Sequence, residues 1–232
     1  MESSKHLTPH FREELEHLKE RLLVMAGAAE EQVRTAVRSL VDRDHELARQ
    51  VLTGDDPINL LHIEIDKRCF QLLALHQPMA TDLRVVVSGV KINSDLERVG
   101  DFAINIAEAT LRYLEHPPVK PLIDIPRMAD LAQGMLRDSL DAFVRQDTTL
   151  AQEVLDRDDA LDLLKDQVFR ELLGFMLSDP LVTGPALDLI LVSRHLERIG
   201  DHATNIAEEA IFIVSGLDVR HHGRDGSAQD DG

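Results

Sequence analysis

From Leu15 onward, apolar residues return every three or four positions: Leu15, Leu18, Leu22, Met25, Ala29, Val33, Val37 and Leu40. On a helix of 3.6 residues per turn that spacing paints a single stripe, and it predicts a long amphipathic helix over residues 9–42. Thr8 stands where a cap would, and Pro9 suits the first turn, where a missing N–H loses no bond. A second helix starts near Asp44 and is interrupted at TGDDP, residues 53–57. Asp56 followed by Pro57 reads as cap and first turn of its restart. The stripe resumes with Ile58, Leu61, Ile65, Cys69, Leu72 and Leu73 and ends at His76-Gln77-Pro78. Thr81 is the expected cap of a third helix, carrying Leu83, Val86, Val90, Leu96, Val99, Ala103, Ile106 and Thr110.

Residues 116–126, HPPVKPLIDIP, hold four prolines and read as a linker. Beyond it the same layout returns. Helices are expected over about 126–145 and over about 148–177, the second with a break near Asp156–Asp159. A third is expected from Ser178–Pro185 to about Ser215, with Gly216 as its stop. The polar tail, 217–232, is expected to be disordered. Nothing alternates with period two, so an all-β reading fails.

The return is also one of residues. LERVGDFAINIAE, Leu96 to Glu108, reappears as LERIGDHATNIAE, Leu196 to Glu208, with ten of thirteen positions identical. ARQVLTGDDPINLL (Ala48 to Leu61) likewise matches AQEVLDRDDALDLL (Ala151 to Leu164). A unit near 100 residues is too long for a solenoid repeat. The expectation is an all-α chain of two tandem three-helix bundles made by internal duplication. The bundles span 1–116 and 126–216, and 117–125 joins them.

Composition narrows the picture. The chain is 44% apolar but only 3% aromatic, with no Trp and one Tyr, so its core is aliphatic. Its net charge of −17 argues against a nucleic-acid partner and against unaided docking on anionic lipid. It leaves basic partners or cations. The single cysteine, Cys69, excludes an intramolecular disulfide, fits a reducing compartment and reads as a small buried hydrophobe. The N-terminus lacks a signal-peptide pattern, and no run of about 18 apolar residues could span a membrane.

The repeated stretch carries the candidate chemistry. Beside the apolar stripe run Glu97, Asp101, Asn105 and Glu108, with Gly100 giving a neighbour or a ligand close access. Carboxylates one turn apart repel. Either local arginines offset them, Arg98 for Asp95 and Asp101 and Arg198 for Asp201, or a metal ion does, because oxygen donors suit magnesium, calcium, manganese or iron. Helices joined by a short turn run antiparallel. Counting back from each turn sets Asp55 and Asn59 opposite Glu97 and Asp101, and Asp158 and Asp162 opposite Glu197 and Asp201. Asn105, Asn205, Glu208, His62 and Asp66 are further candidate ligands. Asn59 in place of an acid makes the first set the weaker one. His202 faces Phe102 in the repeat alignment and so belongs to no shared set. The competing reading of the acids is a solvated helix face. No phosphate loop, Ser-His-Asp pattern or cysteine cluster is present.

With PMATDLR (Pro78 to Arg84), the two LER-x-GD stretches and the Asp-rich segments 55–59 and 158–162, the chain resembles the PhoU family. That resemblance implies two spectrin-like three-helix bundles about a pseudo-twofold axis. It implies metal at the Glu-or-Asp-x-x-x-Asp motif, here Glu97/Asp101, Glu197/Asp201 and Asp158/Asp162, in some members as iron or zinc clusters. Iron, zinc, manganese and magnesium all remain candidates. The family often has Glu where His62 stands. Its members are cytoplasmic, peripheral to the inner membrane and often homodimeric. They restrain phosphate uptake and starvation genes by linking the ATPase subunit of the phosphate ABC transporter to a sensor histidine kinase. A ferritin-like di-metal enzyme is the alternative activity. It needs two Glu-x-x-His motifs, and only Glu14-x-x-His17 fits. A metal-free helical scaffold is the other alternative.

Overall fold

The structure, a computed structural model, describes residues 9–54 and 56–217, and these are all-α. Asp55, the N-terminal residues 1–8 and most of the tail, including His221 and His222, lie outside the described residues. Helix α1, Pro9–Val41, buries the predicted stripe from Leu15 to Leu40. Arg43 then turns the chain through a left-handed backbone at φ 54°. Asp44 follows as the cap of α2, His45–Thr53, accepting the Glu46 and Leu47 N–H groups at 2.8 and 3.1 Å. The second half repeats the device. Gln146 has φ 56°, and Asp147 caps α6 by accepting from Thr149 and Leu150 at 3.0 and 3.1 Å.

Four boundaries differ from the sequence reading. Asp56 is already the first residue of α3, Asp56–His76, rather than its cap. Helix α4, Ala80–Leu114, begins before Thr81, whose hydroxyl therefore lies inside the first turn and accepts from Arg84 Nη2 at 3.1 Å. Helix α5, Asp124–Arg145, starts ahead of Pro126, because a first-turn proline sacrifices no helical bond. The break expected near Asp156–Asp159 is absent, and α6, Thr148–Ser178, is one helix of 31 residues. Its segment DRDDALD has neither glycine nor proline, whereas Gly54 closes α2 and Pro57 follows the gap. After a short 3-10 turn at Pro180–Val182, α7 runs over Thr183–Ser215. It ends on left-handed Gly216, φ 72°, whose N–H reaches Phe212 O at 2.8 Å.

Helices α1, α3 and α4 enclose one aliphatic core, with α2 packed against α1 and α4; α5, α6 and α7 enclose the other. Cys69 is buried, and burial, with Asp66 nearby, pushes its thiol up to about 12, so it is an unreactive filler. The bundles meet mainly where α4 crosses α7. There Ser88 pairs with Glu209, Asp95 with His202 and Phe102 with His195, so the two helices run antiparallel. Since His195 and His202 are the repeat counterparts of Asp95 and Phe102, the last two contacts are one contact seen twice, which establishes the pseudo-twofold axis.

The paired glycines serve packing. A β-carbon on Gly100 would lie 3.0 Å from Ile58 Cδ1, and one on Gly200 would overlap Leu161 Cδ2. Ile58 and Leu161 hold equivalent places in the repeat, so each glycine seats the helix that faces it.

Candidate functional site

The second acidic face is formed by α6 and α7. Asp158 is half-buried and Asp162 exposed on α6; Glu197 is half-buried and Asp201 exposed on α7. The four carboxyl groups share one field. Burial raises the Asp158 carboxyl above the usual carboxylate range, and Asp162, Asp159 and Glu197 raise it further. Asp201 is pushed up to about 6, by burial first and then by Glu197 and Asp158. Counting back from the helix turn had set these residues opposite one another, and the structure brings them within electrostatic reach.

The sequence reading missed what lies between them. Lys165 Nζ stands 2.9 Å from Asp162 Oδ1 and 3.0 Å from Glu197 Oε1, bridging α6 to α7, with Asp166 Oδ1 at 3.9 Å. The Asp162 hydrogen bond, more than Glu197, raises the ammonium's own pKa. A signal was available. The match of Leu61 to Leu164 makes Lys165 the counterpart of His62, one turn beyond Asp162. The arginine expected to balance this face is elsewhere: Arg198 lies over the Phe102 ring, 5.2 Å from its centroid.

The first face, between α3 and α4, differs. Glu97 and Asp101 are half-buried, Asn59 is exposed, and Asp55 lies outside the described residues. His62 Nε2 is 3.7 Å from Asp66 Oδ2. Asn93, fully buried, donates to His62 O at 3.0 Å and to Asp66 Oδ1 at 2.9 Å. The His62/Asp66 pair is thus tied to α4 through an amide. Of the outer candidates, Asn105 is half-buried on α4 and Glu208 half-buried on α7. Asn205 belongs to the seam, donating to Asp95 Oδ1 at 3.3 Å.

As oxygen donors, both sets suit a hard cation. On α6–α7 Lys165 occupies one oxygen of Asp162 and one of Glu197, so a metal using those two oxygens does not fit this arrangement. Among the described residues no three His, Cys, Asp or Glu side chains converge as a ligand cluster. On α3–α4 no lysine stands at the equivalent position, and Glu97 and Asp101 keep the donor chemistry.

A further polar set joins the bundles. Glu209, 3% exposed on α7, accepts from Ser88 Oγ at 2.7 Å and pairs with Lys91 Nζ at 2.7 Å. Arg112 Nε bonds the largely buried Asp188 at 2.9 Å. A lone Glu within the stripe Ala203, Ile206, Ala207, Ala210 and Ile213 was the available sign.

Fold and site together define a duplicated three-helix-bundle protein with an acidic face in each half. Comparison with known proteins agrees. The PhoU domain model matches residues 22–110 and 125–210. A phosphate-specific transport system accessory protein PhoU homolog from Aquifex aeolicus is 44% identical over 208 residues, covering 90% of this chain and 94% of that one. Its counterpart from Pseudomonas aeruginosa is 41% identical over 219 residues, 94% of this chain and 90% of that one. The crystal structure of PhoU from Pseudomonas aeruginosa superposes with a TM-score of 0.85 at 40% identity, over 89% of this chain and all of that one. The phosphate transport system regulatory protein PhoU from Streptococcus pneumoniae gives 0.82 at 29% identity, over 90% and 99%. The chain belongs to the PhoU family. No helix among the described residues is long and apolar enough to cross a membrane.

Proposed function

We propose that this chain is a negative regulator of phosphate uptake and of phosphate-starvation signalling. In this reading it works as an adaptor rather than an enzyme, linking the ATPase subunit of a phosphate ABC transporter to a sensor histidine kinase. It acts in the cytoplasm, peripheral to the inner membrane through those partners, and as a homodimer. The observation that carries the reading is likeness over nearly the whole chain, both repeats included, to relatives described as accessory proteins of phosphate-specific transport. The test is affinity capture of the tagged full-length chain from phosphate-replete cells. The transporter ATPase and the kinase should both co-purify, and deletion of the gene should raise starvation reporters in high phosphate. Capture of neither, with unchanged reporters, would remove the adaptor role.

A cation on the α3–α4 face is part of the proposal. Glu97 and Asp101 would hold it, with Asn59 and the His62/Asp66 pair as further candidate ligands, and iron, zinc, manganese or magnesium are the candidates. The ion would balance the acids and fix α3 against α4. Support comes from two half-buried carboxylates one turn apart with no lysine at the bridging position. Metal analysis of chelator-free protein tests it: the load should fall in Glu97→Ala/Asp101→Ala.

A further inference from the structure

The repeats match in sequence and carry different charge at matching positions. Asp158, Asp162, Glu197 and Asp201 match Asp55, Asn59, Glu97 and Asp101, so the α6–α7 face has the fuller set of acids. It also has a lysine where α3–α4 has His62. Lys165 contacts Asp162 on its own helix and Glu197 on the next, and its side chain is only 25% exposed. An ammonium is a compact point charge with three donors, and here two carboxylates from different helices take it. A divalent ion using the same oxygens would lie within a few ångströms of that nitrogen. Two cations held that close repel each other, and a divalent ion is repelled about twice as strongly as a monovalent one. A tethered cation also competes at an effective concentration in the millimolar range, whatever the free-ion level.

We propose that Lys165 is the resident cation of the α6–α7 face, a tethered ammonium that takes the place of a metal ion and latches α6 to α7 without one. The inference rests on reading both faces as places where acid charge must be balanced, and it does not require an ion on α3–α4. It makes the repeats chemically unequal: in one the chain itself supplies the balancing cation, and in the other His62 stands at that place.

The test is Mn²⁺ titration of chelator-stripped full-length protein, followed by calorimetry and by the electron-spin signal of free Mn²⁺. Lys165→Met and Lys165→Gln both remove the charge; Lys165→Arg keeps it. Either neutral variant should gain one Mn²⁺ site per chain, tighter by about 10- to 100-fold than any Mn²⁺ binding at this face in the parent. The added site should vanish on combination with Glu197→Gln, and Lys165→Arg should not show it. If a neutral variant folds only when Mn²⁺ is added, that also supports the proposal. Two results overturn it: a parent protein whose Mn²⁺ stoichiometry already drops by one in Glu197→Gln, or neutral variants that gain no site. The α3–α4 reading is scored separately, by Glu97→Gln in the parent. Loss of Mn²⁺ there with no gain in the Lys165 variants would sink this inference alone.

Discussion

Asp95 on α4 and His202 on α7 bind each other across the bundle seam, Oδ1 to Nδ1 at 2.7 Å, where their repeat counterparts stack ring against ring. One backbone crossing thus carries a polar contact on one side of the axis and an aromatic contact on the other. Asn205 also donates to Asp95, so Asp95→Ala strands two donors and should cost about 1–3 kcal/mol in urea unfolding. The double variant Asp95→His/His202→Phe copies the 195/102 pair onto the other side. It should recover most of that loss, and an additive double loss would count against the symmetric crossing.

The two repeat glycines, Gly100 and Gly200, should respond unequally to alanine. Alanine gains up to about 1 kcal/mol of helix propensity at either position. At Gly100 the new methyl meets the end of Ile58 at 3.0 Å, and a small shift accommodates it, leaving stability nearly unchanged. At Gly200 it overlaps fully buried Leu161, with Met135 Cε at 3.7 Å on the other side. Overpacking there should outweigh the propensity gain, for a net loss of about 1–2 kcal/mol. Adding Leu161→Val to Gly200→Ala should return part of it in denaturant midpoints.

Most of the fold was legible because helical periodicity and punctuation are local properties. The stripe from Leu15 to Leu40, the restart after Gly54 and the stop at Gly216 all stand where the pattern set them. The failures have local causes too. The break expected near Asp156–Asp159 does not form, because the Gly and Pro that break the first copy are missing from the second. Facing carboxylates could be found by counting residues back from a turn. Lys165 needed the further step of extending the repeat alignment one residue past Leu164. The seam partners Asp95, His202 and Glu209 depend on how α4 crosses α7, and spacing within one helix holds no record of that crossing.

Asp201 gives stability on the acidic face a definite pH dependence. Its carboxyl titrates at about 6 when folded, against about 3.9 in an unfolded chain. Between those values the folded protein binds the extra proton. The contribution is therefore full below the unfolded value and is lost as pH rises through 6. With chelator present, Asp201→Asn should melt higher than the parent at pH 7.5, and the advantage should be gone near pH 4. Because Asp201 sits at an exposed edge, solvent screening keeps the difference small. A difference that widens on acidification would contradict the assigned field.

Glu209 is a buried charge of the seam, held by Ser88 and Lys91. Glu209→Ala leaves the Ser88 hydroxyl without its acceptor in a dry interface, while the Lys91 ammonium can turn to water. The expected cost is about 2–3 kcal/mol, read from chemical unfolding. Glu209→Gln retains the shape and one hydrogen bond and should lose less than half of that. A Glu209→Ala protein as stable as the parent would mean the seam needs no polar anchor.

Joining both bundles through the proline-bearing stretch after α4 makes their interface indifferent to dilution. Separate copies would part at low concentration, and each would have to offer the other an identical patch. Within one polypeptide that obligation lapses. Each side of the crossing is free to specialise, as the repeat counterparts Asp95 and His195, Phe102 and His202, and Ala109 and Glu209 record.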